Sequence, residues 1–481
     1  MTAQEYIEQN RVPGEERPLF HVTAPVGWMN DPNGLSFFGD RVHLFYQFYP
    51  YSDVWGPMHW GHYSSKDMIS WREEKVALAP DRKYDLKGCF SGSGIAYGDR
   101  HILVYTGVEE RESPEGTKEC RQNQCIAVGD GTDYKKAEKN PVITGDMLPD
   151  GFSRQDFRDP KIWREEDAFY LVAGNKNEKG LGQIVLFRSE NLEQWSYVGV
   201  LAKNEGDCGT MWECPDFFSI GDKHVLIFSP QDMPAAGLEI HNGNNSVYTI
   251  GSYSREEHIF LHDKIQSLDY GLDYYAPQTT TLPDGRRILI GWLQSWDSNA
   301  KPIWQRWNGM MTIPRELTVL NGRLIQKPVR EIANYYTDEV VYMDQEISGS
   351  MQLDGICGRT IDLSVELAGG DYEEFTIEFA ANSRYHTSVT YDAQRQEIIY
   401  DRTYSGITRD IACIRKMKIK NPKDTLLLRI LLDRYSAEIF VNDGEEVFSA
   451  NMFTSPDADG IRFICSKKAH VTIRKHDISV L

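Results

Sequence analysis

Trp28-Met29-Asn30-Asp31-Pro32-Asn33-Gly34 opens a mostly apolar run, residues 35–49, that only Gly39-Asp40-Arg41 interrupts. The proline after Asp31 favours an extended backbone at that aspartate, so its side chain is presented where a strand begins. Asn, Asp, Pro and Gly each favour turns, and the stretch by itself is more typical of a simple turn. Only its recurrence along the chain favours a site residue over a turn.

The same local pattern occurs five times in the chain. Each copy begins with a small or acidic residue followed by Pro or Gly, and an Asp and an apolar strand come six or seven residues later. The copies start at Asp31-Pro32, Ser91-Gly92, Asp159-Pro160, Cys214-Pro215 and Ala276-Pro277, which are 55 to 68 residues apart. Each copy predicts a β-hairpin that opens a recurring all-β unit.

Further strands follow within the units, and two units share a second signature, a Ser before a Trp at Ser65 and Trp71 and again at Ser189 and Trp195. These lengths fit four strands in each unit. Five such sheets arranged radially form a five-bladed β-propeller, which leaves only short, protected edges. A β-helix would need a far shorter period, and a β-sandwich would not repeat five times. The predicted fold class is therefore all-β, beginning with a five-bladed propeller.

The composition changes after Trp307, the last of eleven tryptophans. Residues 327–336 predict a short helical connector, and beyond about residue 345 short alternating strands predict a C-terminal antiparallel β-sandwich. These strands are expected at residues 360–367, 374–379, 387–391, 426–431, 437–441, 461–465 and 471–473. We expect a propeller catalytic domain over residues 1–325, a linker over 326–344 and a sandwich domain over 345–481.

Charge and composition exclude several classes of protein. The net charge of −19 argues against a nucleic-acid or anionic-membrane partner. No apolar run is long enough for a transmembrane helix, and residues 1–17 lack the apolar core of a signal peptide, so we expect a cytoplasmic protein. The eight cysteines show no zinc-binding spacing, which predicts reduced thiols and neither metal nor cofactor. A homo-oligomer is compatible with this composition.

In a propeller, the first strands of the blades line the central channel, so the five repeat starts are expected to meet at one mouth. They bring Asp31, Asp159 and Glu213 there. Three acids beside aromatic residues favour cleavage of a glycosidic bond, in which one carboxylate is ionised and another holds a proton. Tryptophans could offer apolar faces to a sugar, although packing between blades is the simpler interpretation of each one alone: Trp28, Trp55, Trp60, Trp212 and Trp292.

Several blocks of sequence surround these acids. They are residues 28–34, Tyr46-Gln47-Phe48-Tyr49-Pro50, Trp55-Gly56-Pro57-Met58-His59-Trp60-Gly61-His62, Phe90-Ser91-Gly92-Ser93, Arg158-Asp159-Pro160, Glu213-Cys214-Pro215, Tyr274-Tyr275-Ala276-Pro277-Gln278 and Leu432-Asp433-Arg434-Tyr435-Ser436-Ala437-Glu438-Ile439-Phe440. In this order they resemble the signature blocks of glycoside hydrolase family 32, the β-fructofuranosidases, over most of the chain. The resemblance implies a five-bladed propeller followed by a β-sandwich, in agreement with the repeats.

The resemblance also implies roles for individual residues. Asp31 would be the nucleophile, Glu213 the general acid and then the general base, and Asp159 a stabiliser of the transition state. Arg158 is further expected to keep its neighbour Asp159 ionised. Contacts to the substrate are expected from Asn30, Gln47, Trp55, Phe90, Ser91, Arg158, Tyr275 and Trp292. No metal is needed for this chemistry.

The implied activity is retaining hydrolysis of terminal β-D-fructofuranosides through a fructosyl-enzyme intermediate. The expected substrate is a small fructose-containing saccharide, sucrose or sucrose 6-phosphate, because residues 53–62 look most like the bacterial sucrose-phosphate hydrolase branch. Exo-hydrolysis of short inulin- or levan-type fructooligosaccharides and fructosyl transfer are the alternatives within the family. Outside it, the alternatives are an inverting five-bladed enzyme that cleaves arabinan or xylan and a non-catalytic sugar-binding propeller.

Overall fold

The computed structural model describes residues 1–112, 116–298, 300–302 and 304–480. Antiparallel strands dominate, which confirms the all-β class. The helices among the described residues are one α-helix, Ala3–Asn10, and the 3₁₀ helices Gly14–Glu16, Gly145–Met147, Trp296–Ser298 and Arg330–Tyr335. The α-helix begins with a capping box, in which the Thr2 hydroxyl and the Glu5 carboxylate accept each other's backbone N–H.

Five antiparallel sheets form the blades of the predicted propeller. Blade I contains β1 (Gly27–Phe38), β2 (Arg41–Tyr49), β3 (His59–Ser65) and β4 (Trp71–Glu73); blade II contains β5 (Gly88–Tyr97), β6 (Arg100–Glu112), β7 (Lys118–Gly129) and β8 (Tyr134–Lys136); blade III contains β9 (Phe157–Glu165), β10 (Ala168–Lys176), β11 (Gly182–Ser189) and β12 (Trp195–Lys203); blade IV contains β13 (Trp212–Ile220), β14 (Lys223–Pro230), β15 (Val247–Ser254), β16 (Ile259–His262) and β17 (Gln266–Ser267); blade V contains β18 (Tyr275–Thr281), β19 (Arg287–Trp292), β21 (Arg315–Leu320) and β22 (Arg323–Pro328).

The inner strands β1, β5, β9, β13 and β18 contact one another in a closed ring. Strand β20 (Trp307–Asn308) completes the ring, because it leaves blade V and pairs in parallel with β1 of blade I. The Gln278 side chain of β18 connects three inner strands, because its amide accepts from the Leu35 N–H of β1 and donates to the Gly92 carbonyl of β5. The channel is therefore held by hydrogen bonds between blades as well as by packing.

A β-bulge interrupts each inner strand at the repeated motif. In each of β1, β9, β13 and β18, two consecutive residues have no partner of their own on the neighbouring strand at this point. In β5, one residue has none. Bulges bend a strand and re-aim its side chains. The residue before the proline also has a positive φ in three copies, at Asp159 (64°), Cys214 (48°) and Ala276 (50°). The motif thus encodes a bend in the strand rather than a turn between strands.

The C-terminal part is one sheet folded over itself into a sandwich. Its strands are β23 (Tyr336–Met351), β24 (Ile361–Asp371), β25 (Glu374–Ala381), β26 (Thr387–Asp392), β27 (Glu397–Asp401), β28 (Ile414–Lys418), β29 (Leu426–Asp433), β30 (Ser436–Val441), β31 (Glu446–Asn451) and β32 (Gly460–Ile478). The first part of β32 pairs with β25 and the second with β24, so β32 belongs to both layers. The prediction of two separate strands here was wrong, because the polar residues 466–468 stay extended.

Buried charges join the propeller to the sandwich. Arg315 of blade V is fully buried and donates to Asp269 (3.0 Å), to Glu438 (3.1 Å from Nε) and to Ser449 (2.5 Å). The His21 ring bridges Asp433 (2.9 Å) and Glu438 (2.8 Å). Burial disfavours the charged imidazolium, but its hydrogen bonds to these two carboxylates prevail and raise the pKa of His21 to about 9. The C-terminal block noted in the sequence therefore serves the interface between domains.

Replacing Arg315 should destabilise the protein strongly. The Arg315→Met variant leaves Asp269 and Glu438 buried without their shared cation, and losing one partner of a buried ion pair costs about 3–5 kcal/mol. We expect a clearly lower unfolding midpoint in urea and in thermal scans. The matched control is Arg330→Met, because Arg330 pairs with Glu316 at the surface (2.5 Å). Equal shifts for the two variants would contradict this account of the interface.

Candidate active site

A cavity of about 500 Å³ lies where the bulged ends of the inner strands meet. It is lined by Asn30, Asp31, Gln47, Trp55, Phe90, Ser91, Gln122, Arg158, Asp159, Glu213, Gln231, Asp232, Asn244 and Trp296. Its three central carboxylates come from the inner strands of blades I, III and IV. The structure thus brings together Asp31, Asp159 and Glu213, which are far apart in the sequence.

The Asp31 carboxylate accepts hydrogen bonds from residues of three blades. Its Oδ1 accepts from the Asn30 amide (3.1 Å), and its Oδ2 accepts from the Ser91 hydroxyl (2.6 Å) and the Cys214 thiol (3.4 Å). The indole of the fully buried Trp28 donates to Asn30 (2.7 Å) and so fixes the amide. The side chain of Asp31 is therefore both buried and oriented.

Asp159 owes its position to unusual backbone geometry. With φ at 64°, its own N–H donates to the Thr106 hydroxyl (3.0 Å). Its Oδ2 accepts from the backbone N–H of Cys214 (2.9 Å), a residue that also has positive φ, and lies 3.6 Å from the Cys214 thiol. Left-handed backbone at residues other than glycine is rare and concentrates at functional sites.

Glu213 accepts hydrogen bonds at both carboxylate oxygens. Oε1 accepts from Arg158 Nε (2.9 Å), while Oε2 accepts from the Gln231 amide (2.9 Å) and the Tyr275 hydroxyl (2.8 Å). The guanidinium of Arg158 hydrogen-bonds to Glu213 and not to Asp159. Its positive charge lowers the pKa of Asp159, as expected, but burial and the charge of Glu213 outweigh it, so the pKa of Asp159 is raised.

Two of the three carboxyl groups, Asp31 and Asp159, have raised pKa values. Burial, followed by the negative charge of Glu213, raises the pKa of Asp159 to about 7 and also raises the pKa of Asp31. Burial, and then the charge of Asp159, raises the pKa of the Cys214 thiol well above its ordinary value, so this thiol stays protonated and can donate. The cluster therefore holds a proton near neutral pH, as acid–base chemistry at two carboxyl groups requires.

The expected substrate contacts fall into two groups. Asn30, Gln47, Phe90, Ser91 and Arg158 line the cavity, as does Trp55, which is 47% exposed at its rim. Tyr275 and Trp292 do not face it, and the prediction of direct contact was wrong for both. Tyr275 is buried beneath Glu213, and Trp292 ends the second strand of blade V, where it packs behind Trp28 and Trp296. Of the tryptophans proposed as sugar platforms, Trp28, Trp60 and Trp212 are also buried.

Five further residues line the cavity and were not predicted from the sequence: Gln122, Gln231, Asp232, Asn244 and Trp296. Gln122 lies on the third strand of blade II, and the others lie in connections after β14 and β19. None of them belongs to the repeated motif, so the repeat carried no signal for them. Membership of a tryptophan-rich segment was the only sequence signal for Trp296.

Within the described ranges, no group of three or more His, Cys, Asp or Glu residues could hold a metal ion. The same residues contain no helix that is long and apolar enough to cross a membrane.

Sequence models of a known family cover nearly the whole chain. The Glycosyl hydrolases family 32 N-terminal domain matches residues 21–328, and the Glycosyl hydrolases family 32 C terminal domain matches residues 331–480. The chain belongs to glycosyl hydrolase family 32. It is therefore a glycoside hydrolase, and family 32 membership excludes the predicted alternatives outside the family.

Named relatives agree with the family 32 assignment. A sucrose-6-phosphate hydrolase from Escherichia coli is 39% identical, and a raffinose invertase from Escherichia coli is 37% identical; each match covers 92% of this chain and 90% of the relative. The solved structure of a Bombyx mori GH32 beta-fructofuranosidase superimposes with a TM-score of 0.85 at 33% identity, over 99% of this chain and 97% of that one. A variant of that enzyme is known in complex with sucrose.

Proposed function

We propose that the protein hydrolyses terminal β-D-fructofuranosides, such as sucrose and sucrose 6-phosphate, with retention of configuration at the anomeric carbon. The observation that carries the proposal is the meeting of Asp31, Asp159 and Glu213 around one cavity in a family 32 chain. The names of the relatives, and the sucrose complex of one of them, support a fructose-containing saccharide as the substrate.

In the first step, an ionised Asp31 oxygen attacks the anomeric carbon of the fructosyl unit. The bond from that carbon to the leaving-group oxygen breaks, and Glu213 donates a proton to this oxygen. A covalent fructosyl-enzyme results, which divides one difficult substitution into two. The hydrogen bonds from Asn30, Ser91 and Cys214 support this role, because they orient the Asp31 carboxylate in advance.

In the second step, Glu213 takes a proton from water, and the water oxygen displaces Asp31 from the same carbon. Two inversions give net retention. The three donors around Glu213 support this exchange of roles, because Arg158, Gln231 and Tyr275 hold its two oxygens in place through both steps. Asp159 would accept hydrogen bonds from fructose hydroxyl groups that strengthen in the transition state.

We also place the protein in a reducing compartment, the cytoplasm. All eight cysteines lie in the described part of the chain and none forms a disulfide. Four of them are buried as free thiols, which is typical of proteins from reducing compartments.

The roles of the two principal carboxyl groups can be separated with azide. We expect Asp31→Ala to lose at least about 10⁴-fold in kcat and Glu213→Ala to lose about 10²–10⁴-fold, with circular dichroism and thermal midpoint unchanged. Azide should restore turnover in both, giving a fructosyl azide of retained configuration with Glu213→Ala and of inverted configuration with Asp31→Ala. The product stereochemistry is read by NMR.

The matched control is Asp167→Ala, which removes a fully exposed carboxylate in the first hairpin of blade III. It should release fructose from sucrose at the rate of the unmodified enzyme. Near-normal turnover by Asp31→Ala or Glu213→Ala on sucrose, sucrose 6-phosphate, 1-kestose and inulin alike would refute the assignment of roles.

The pH dependence of kcat/KM should follow the proton held by the cluster. The three neighbouring carboxyl groups share their protons as one set. Burial and the charge of Glu213 raise the pKa of Asp159 to about 7, so the set loses the proton that the leaving group needs as the pH rises through about 7, and activity should fall. The Asp159→Asn variant removes one negative charge, so the remaining carboxyl groups should lose their shared proton at lower pH. The alkaline limb of the residual activity should therefore move to lower pH. An unmoved limb would show that another group controls it.

A further inference from the structure

The charge of the cavity bears on which saccharide it accepts. Among the described residues that line it there are four carboxylates, Asp31, Asp159, Glu213 and Asp232, and one cationic group, Arg158. The guanidinium is already engaged, because it donates to Glu213 (2.9 Å) and lies 3.3 Å from Asp156. The lining thus offers no unengaged cation to an anionic substrate.

The fourth carboxylate, Asp232, differs from Asp31 and Asp159 in its exposure to solvent. Asp31 and Asp159 are 8% and 5% exposed at the base of the cavity, whereas Asp232 is exposed. It follows β14 in a backbone with φ at 56° and accepts from the Thr210 hydroxyl (2.8 Å). No Lys, Arg or His of the described chain forms an ion pair with it within 4 Å. Asp232 therefore presents an uncompensated negative charge at the rim.

The rim is also where the leaving group of a fructoside must lie. With the fructosyl unit at the buried carboxylates, the second sugar would extend towards the less buried lining residues Asp232, Asn244, Trp55 and Trp296. Asn244 is fixed there by Asp297, which accepts from its N–H (2.5 Å) and its amide (3.0 Å). Lys301, which follows Trp296 in the chain, is neutralised by Asp53 (2.9 Å). These surroundings suit a neutral sugar that donates hydroxyl hydrogen bonds.

We propose that the cavity selects an uncharged leaving sugar over a phosphorylated one, and that Asp232 is a specificity-determining residue for this choice. The inference rests on the proposed function and narrows its substrate class. A phosphate monoester carries close to two negative charges at pH 7, and placing it beside an unpaired carboxylate is unfavourable even at an exposed rim, where salt screens the repulsion. The relatives' names include a hydrolase of a phosphorylated sugar and a raffinose invertase, so the names do not decide the question.

The test compares kcat/KM for sucrose and sucrose 6-phosphate at pH 7 with the full-length enzyme. We expect sucrose to be preferred by about tenfold or more at low ionic strength, and the preference to shrink in about 0.5 M salt because screening weakens the repulsion. Asp232→Asn should narrow the ratio several-fold, and Asp232→Lys should narrow it further or reverse it. The matched control, Asp167→Asn, removes the same charge from an exposed turn of blade III and should leave the ratio unchanged.

The possible outcomes distinguish a failure of this inference from a failure of the proposed function. Equal or better cleavage of sucrose 6-phosphate by the unmodified enzyme would overturn this inference and leave the proposed function intact. A sucrose preference that Asp232→Asn and Asp232→Lys both leave unchanged would overturn the role of Asp232. Failure to release fructose from either compound, or from 1-kestose, would instead count against the proposed function itself.

Discussion

The site depends on holding three carboxyl groups together although they repel one another. Burial and mutual charge raise the pKa of Asp31 and Asp159, so the arrangement is unfavourable unless other contacts offset it. Those contacts converge on Cys214, whose backbone N–H donates to Asp159 and whose thiol lies 3.4 Å from Asp31. Cys214 is therefore a neutral residue among three acids, and it donates to two of them.

The bulges explain how a regular propeller produces so irregular a site. Every inner strand is interrupted at the same point of its repeat, so five equivalent positions are turned towards one axis. Blades I and III use these positions for Asp31 and Asp159, whereas Glu213 of blade IV lies one residue before its bulge. Ser91 of blade II donates to Asp31, and Tyr275 of blade V donates to Glu213. Each blade therefore contributes either a carboxyl group or a hydrogen bond that holds one.

Buried ion pairs connect the sandwich domain to the propeller. Arg315 and His21 of the propeller side are both held by Glu438, and Arg402 of the sandwich pairs with the fully buried Asp273 just before β18. Asp273 lies two residues before Tyr275, which hydrogen-bonds Glu213. Since buried ion pairs tolerate little displacement, the sandwich anchors the strand that supports one of the three acids.

The sequence by itself determined the all-β class, the five blades, the sandwich and the three carboxyl groups, because each rests on a repeat or on a contiguous block. Only the tertiary structure decided which acid Arg158 pairs with, that Tyr275 supports Glu213 rather than the substrate, and that Trp296 replaces Trp292 at the cavity. It also revealed Asp232 at the rim. Strand periodicity predicts which face a residue takes within a blade, but contacts between blades depend on connections whose paths no local pattern encodes.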